Sequence, residues 1–228
     1  DWSWSRGLGD VYKRQAQLLS QYPSSVKYTD STSTFELGLP LKLVADGTET
    51  LTIGFTENGM FDASGTAAAQ TQKINSVKLF DLSAPIITES KLNSDNSKVT
   101  IRFSVPVYAD AKASLTLEPD DFKLTLVGGT ATLKSTTPSS IDSSENGKRY
   151  QLGLDVIGIP DGREVLTINP VDNNIYDDAA NPANKVQDNN SMNLFDKQPP
   201  TITSISLSKA NDTLSLIHIS EPTRPTPI

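Results

Sequence analysis

The chain has 228 residues, with 20 basic against 27 acidic side chains, no cysteine and a single histidine. The acidic balance leaves nothing to neutralise a phosphate backbone, and the lack of cysteine excludes a disulfide scaffold and a thiolate metal centre. No apolar run approaches the roughly 18–20 residues needed to cross a bilayer.

The two ends are related through their codons. Residues 214–228 can be encoded by the reverse complement of codons for residues 1–15. Gln15 as CAG reverses to CTG, which is Leu214; Arg14 as AGA gives Ser215; Val11 as GTG gives His218. The pairing runs unbroken to Asp1 with Ile228. The inner parts, SRGLGDVYKRQ facing LSLIHISEPTR, resemble the translated adapter that transposase-based sequencing libraries attach to both ends of a fragment. Segments 1–15 and 214–228 are therefore expected to be non-native, and 16–213 to be a window cut from a longer gene. Residues 1–15 also lack the apolar stretch of a signal peptide. Trp2, Trp4 and His218 fall in these ends, so the insert has no Trp, His or Cys. Without the four basic and three acidic residues of the ends, 16 basic and 24 acidic remain, a net charge of −8. Thr, Ser, Asn and Asp are abundant, and Val, Ile and Leu supply most of the apolar content, which suits strands joined by turns.

Within the insert, Ala16–Lys98 aligns without gaps to Ala131–Thr213, an offset of 115 residues. About a third of the positions are identical, the signature of a tandem array. Leu37-Gly38-Leu39 meets Leu152-Gly153-Leu154, and Asp46-Gly47-Thr48-Glu49 meets Asp161-Gly162-Arg163-Glu164. Leu79-Phe80-Asp81 meets Leu194-Phe195-Asp196. Proline cannot donate to a sheet ladder, so Pro85 and Pro199-Pro200 mark the start of a repeat. The expected domains are 16–83, the later part of one repeat; 84–198, a complete repeat; and 199–213, the first strand of a third.

Period-2 alternation predicts the strands of the complete repeat. In chain order they are 86–92, then Val99, Ile101 and Phe103 against Lys98, Thr100 and Arg102, then Phe122, Leu124 and Leu126 against Lys123 and Thr125. The stretch Gly129–Leu133 follows, then Leu152 with Leu154, Leu166 with Ile168, and Met192 with Leu194. Turn signals separate them at Asn93-Ser94-Asp95-Asn96, Gly128-Gly129, Glu145-Asn146-Gly147 and Pro160-Asp161-Gly162. Glu118-Pro119-Asp120-Asp121 carries the chemistry of a helix start, so a short helical turn is expected there. Around seven short strands in about 115 residues read as an all-β, antiparallel Ig-like sandwich.

The blocks Phe103-Ser104-Val105-Pro106-Val107-Tyr108, Asp121-Phe122 and Ile175-Tyr176-Asp177-Asp178-Ala179-Ala180-Asn181 resemble bacterial Ig-like tandem repeats of large surface proteins, of the flagellar-system-associated or S-layer type. Ala180 departs from that pattern, standing where glycine is expected; Gly65 fills the equivalent place in the preceding repeat. The resemblance implies an extracellular or cell-surface array used as a spacer, stalk or adhesin, with neighbouring repeats of the same chain as partners and no enzyme activity. The alternative is a glycan- or protein-binding sandwich.

Without His or Cys, no Ser-His, Cys-His or His-metal arrangement can be built within the insert. Calcium is the sharpest cofactor candidate, because hard cations take six to eight oxygen ligands. Asp172, Asp177 and Asp178 crowd one segment and Asp196 lies in the linker, so these four are the candidate ligands. The competing reading is that such side chains bond their own turns. Phe61, Tyr176, Phe80 and Phe195 recur by repeat and are expected in the core, as are Phe103 and Phe122.

Overall fold

A computed structural model describes residues 2–5, 15–28 and 34–218. The chain divides into two compact units, 1–84 and 85–228. Strands dominate both, and the described residues hold no α-helix.

In the first unit the strands are β1 (Trp2–Ser5), β2 (Val26–Tyr28), β3 (Phe35–Leu37), β4 (Thr50–Phe55) and β5 (Ser76–Lys78). They form two antiparallel sheets, β2-β3 and β1-β4-β5. Among its described residues, the buried apolar ones are Ala45 and Leu51.

The second unit opens with β6 (Ile87–Leu92) and β7 (Lys98–Phe103), followed by a 3-10 turn at Pro119–Asp121. Next come β8 (Phe122–Val127), β9 (Thr132–Leu133), β10 (Ile141–Ser144) and β11 (Arg149–Gly153). Then follow β12 (Val156–Ile157), β13 (Val165–Pro170) and β14 (Ser191–Asn193). A four-stranded sheet in the order β10-β11-β7-β6 packs on a three-stranded sheet β14-β13-β8, and β12 pairs with β9. The unit ends in a hairpin of β15 (Ile202–Leu207) and β16 (Leu214–His218).

The alternation read from the sequence is what builds this sandwich. Val99, Ile101 and Phe103 of β7 are buried, as are Phe122 and Leu124 of β8, Leu152 of β11, and Leu166 and Ile168 of β13. Each such side chain contributes up to about 1.5–3 kcal/mol when fully removed from water. Three rings stitch the sheets together. Phe103 and Tyr150 of the larger sheet meet edge to face at 6.2 Å, and each lies 6.4 Å from Phe122 of the smaller sheet. The Tyr150 hydroxyl donates to the Val107 carbonyl at 3.0 Å, so the buried phenol is not left unpaired.

Loop chemistry terminates the strands. Asn96 adopts φ 63° in the β6–β7 turn, and Asn146 and Gly147 are left-handed in the β10–β11 turn. These residue types tolerate that region best. The helix-start signal yields only the 3-10 turn, where Glu118 N–H donates to the Asp121 carboxylate at 2.8 Å. Gly129–Leu133, expected to be extended throughout, reaches strand geometry only at Thr132 and Leu133, because Gly128 and Gly129 are left-handed. Strands β10 and β12 were not expected. Ile141-Asp142-Ser143-Ser144 is an edge strand with one half-buried apolar residue, too little for a period-2 signal.

Hydrogen bonds recur at the sequence offset of 115. Ser24 N–H donates to Gly38 O and Gly38 N–H to Ser25 O; Ser139, Gly153 and Ser140 repeat the pattern. Leu79 N–H donates to Glu49 O as Leu194 N–H does to Glu164 O. The Asn75 amide reaches Ile53 O as Asn190 reaches Ile168 O. The β15–β16 ladder matches the β6–β7 ladder pair for pair, including the irregularity after the first pair.

Candidate functional site

The four candidate calcium ligands are placed separately. Asp172 is exposed and pairs with Lys185 at 3.2 Å. Asp196 accepts from Gln198 N–H at 2.8 Å, and Asp178 is exposed. Asp177 is fully buried. One of its oxygens accepts from Ala179 N–H (3.0 Å) and Asn181 N–H (2.8 Å); the other accepts from the Asn181 amide at 2.9 Å. Its lone pairs thus close the 177–181 turn, the local role that competed with calcium in the sequence reading. Asp62 closes the matching turn through Ser64 and Thr66, whose hydroxyl and backbone N–H hold its carboxyl below the usual value. Among the described residues no group of three or more His, Cys, Asp or Glu side chains could hold a metal ion.

Where glycine was expected, Ala180 takes φ 67°, and Gly65 takes φ 82° at the equivalent place. The turn therefore keeps its left-handed backbone and carries the strain of a Cβ.

The most elaborate polar node lies elsewhere, on a residue not singled out as a site. Glu164, at the start of β13, is fully buried. Its carboxylate accepts from Thr130 N–H (2.8 Å), Ala131 N–H (2.9 Å) and Asp161 N–H (3.1 Å). Burial works to raise its pKa, but the backbone donors of Ala131, Glu164, Asp161 and Thr130 together bring it below the ordinary carboxylate value. The loop around Gly129 is thereby tied to the loop around Asp161, which is itself held by the Arg163 guanidinium. Glu49 makes the same contacts with Ala16 N–H (2.6 Å) and Asp46 N–H (3.1 Å). The recurrence of Asp-Gly-x-Glu was the one available signal, and by itself it did not distinguish a buried strut from an exposed turn.

Comparison with family models, curated proteins and solved structures finds no match for this chain.

Contrary to expectation, the recurring aromatic rings do not all lie in the core. Phe103 and Phe122 are in the core, but Phe61, Phe80 and Phe195 are 54%, 86% and 47% exposed. Tyr176 is half-buried, bridging to Tyr108 and Pro182. Recurrence at matched positions does not by itself imply packing. Phe80 follows β5 and Phe195 follows β14, both beyond the alternating segment, and both rings are left exposed there.

The buried carboxylates of Asp121, Asp161, Glu164 and Asp177 each accept from backbone N–H groups, and the Arg163 guanidinium and the Asn181 amide add to the bonds of Asp161 and Asp177.

Proposed function

We propose that the chain is a stretch of tandem Ig-like repeats serving as a non-catalytic spacer or stalk in a large secreted or cell-surface protein, with neighbouring repeats as partners. The observation that carries this reading is the recurrence of one hydrogen-bond set every 115 residues, strut carboxylate included. Strand order supports the Ig type. Sheets β6-β7-β11-β10 and β8-β13-β14 correspond to strands A-B-E-D and C-F-G of a constant-type immunoglobulin sandwich. Identical beads in series give a length that scales with their number, and the acidic surface keeps neighbouring arrays apart. The test is small-angle scattering on polypeptides carrying one, two and four copies of residues 84–198. The maximum dimension is expected to grow by a constant increment per copy; a dimension that saturates removes the spacer reading.

A second reading, a glycan- or protein-binding module, draws on the exposed Phe61, Phe80 and Phe195. Exposed aromatic rings suit sugar faces and interface pockets. Retention on a panel of immobilised polysaccharides, lost on Phe80→Ser with Phe195→Ser, would favour it over the spacer.

A further inference from the structure

Strands β6 and β14 belong to different sheets of the second unit, yet side-chain amides join them at both ends. In the sheet ladders β6 pairs only with β7, and β14 only with β13. At the start of β6, Ile87 N–H donates to Gln187 Oε1 at 2.7 Å. The Gln187 Nε2 donates in turn to the Asn184 carbonyl at 2.6 Å, which fixes how the amide is turned. Just past the other end of β6, Asn96 Nδ2 donates to the Phe195 carbonyl and Asn96 Oδ1 accepts from Phe195 N–H, both at 2.8 Å. A primary amide offers a carbonyl and an N–H side by side, so Asn96 does for Phe195 what the peptide group of a neighbouring strand would do.

These contacts fix a direction. Gln187 precedes β14 and bonds the start of β6; Phe195 follows β14 and bonds the turn after β6. Strand β14 therefore runs alongside β6, start by start and end by end. The chain enters the bead at Pro85, beside Ile87, and leaves it through Asp196, beside Phe195. Entry and exit lie at opposite ends of β6, roughly 20 Å apart for six extended residues. Tension along the chain pulls β6 towards its start and β14 towards its end. The two strands then shear past one another, and shear loads all the joining bonds at once, whereas peeling loads them one at a time.

We propose that Gln187 and Asn96 form a two-point amide clamp that holds the bead closed against tension applied through its own chain ends. The inference rests on the spacer reading, because a stalk transmits load along its length. Both amides are out of water, Asn96 at 3% and Gln187 at 8% exposure, so solvent does not readily exchange for their bonds while the strands stay together. Both also recur at the offset of 115. Gln72 Nε2 donates to the Ala69 carbonyl at 2.5 Å as Gln187 does to Asn184. Asn211 takes φ 57° where Asn96 takes 63°, a left-handed backbone that asparagine tolerates.

The chain has no cysteine, so two introduced cysteines define a pulling direction in the full chain. Handles on Ile86→Cys and Lys197→Cys, both exposed positions, load the bead end to end. Handles on Lys123→Cys of β8 and Asp142→Cys of β10 load it across the sheets, from the edges opposite β14 and β6. Optical-tweezer unfolding compares the parent with Asn96→Gly plus Gln187→Met, which delete the amides but keep the left-handed turn and the unbranched side chain. End to end, the double variant is expected to unfold about tenfold faster at a given force; across the sheets the change is expected to be much smaller. Equal acceleration in both directions makes the amides ordinary stabilisers, and no acceleration end to end removes the clamp; either result overturns the proposal. If the double variant does not fold, each single variant is read by the same comparison. Failure here is distinct from failure of the spacer reading. Scattering dimensions that grow by a constant increment, with no directional effect of the variant, lose only the clamp; a directional effect with dimensions that saturate loses only the spacer.

Discussion

Gly129 and Glu164 are in contact so close that no side chain fits between them. A Cβ on Gly129 would lie 2.2 Å from Glu164 Cδ, and the backbone there has φ +59°. Two independent reasons therefore require glycine: left-handed backbone and the approach of a buried carboxylate. Gly129→Ala is expected to destabilise the second unit by about 3 kcal/mol, combining backbone strain with displacement of the strut. Glu164→Ala, which leaves three backbone donors unpaired, should cost about 3 kcal/mol as well. Because both changes break the same node, the double variant should lose much less than the sum. Urea unfolding of the four proteins measures this, and simple additivity would show that the contact carries no energy.

Two buried carboxylates give the stability opposite responses to pH. Glu164 has a folded pKa below its ordinary 4.5, so its contribution is complete above that value and is lost as pH falls through the lower folded value. Glu164→Gln should flatten the acid limb of a thermal-stability profile. For Asp121, burial pushes the pKa above its ordinary 3.8, opposed by Glu118 N–H and the Asn174 side chain and helped by the nearby Asp120 and Glu118 charges. The native state then holds the proton more tightly than the unfolded chain, so this group costs stability above its raised pKa and nothing below 3.8. Asp121→Asn should raise the Tm near neutral pH, with a gain that shrinks as pH falls towards 3.8. A gain that is constant across pH would contradict the assignment.

Tyr150 should be among the last tyrosines to ionise. Burial, with smaller effects from Tyr108 and Asp121, pushes its phenol up to about 12. Tyr150→Phe leaves the Val107 carbonyl without this donor and should cost about 1–2 kcal/mol. Ultraviolet absorbance titration of parent and variant checks the first statement and chemical denaturation the second. An unchanged high-pH limb in the variant would remove the assignment.

Ala180 sits at φ 67° in a turn whose counterpart uses Gly65. Ala180→Gly relieves a Cβ clash and should stabilise the second unit by about 1 kcal/mol, although glycine usually destabilises by entering the unfolded state with more freedom. A lower Tm for this variant would mean that the unfolded-state entropy dominates.

Because the Asp177 carboxylate is saturated by its own turn and Asp172 is paired with Lys185, added calcium should leave the Tm unmoved relative to chelator. A shift of several degrees that vanishes in Asp177→Asn would reinstate a metal site there.

The sequence by itself determined the strands whose two faces see different solvents. Val99, Ile101 and Phe103 alternate with Lys98, Thr100 and Arg102 because a pleated strand with one wet face admits no other pattern, and the 115-residue register followed from simple alignment. Tertiary structure alone decided matters that depend on distant partners. Whether Glu164 is a solvated turn residue or a buried strut depends on Thr130 and Ala131, more than thirty positions away. Phe195 could be core or surface according to what passes over it, and its ring is left exposed. Edge strand β10 exists because β11 offers it a ladder, not because Ile141-Asp142-Ser143-Ser144 prefers to be extended. Periodicity is a property of the local chain in contact with water, whereas burial of a charge, exposure of a ring and pairing of an edge are set by what the rest of the chain brings alongside.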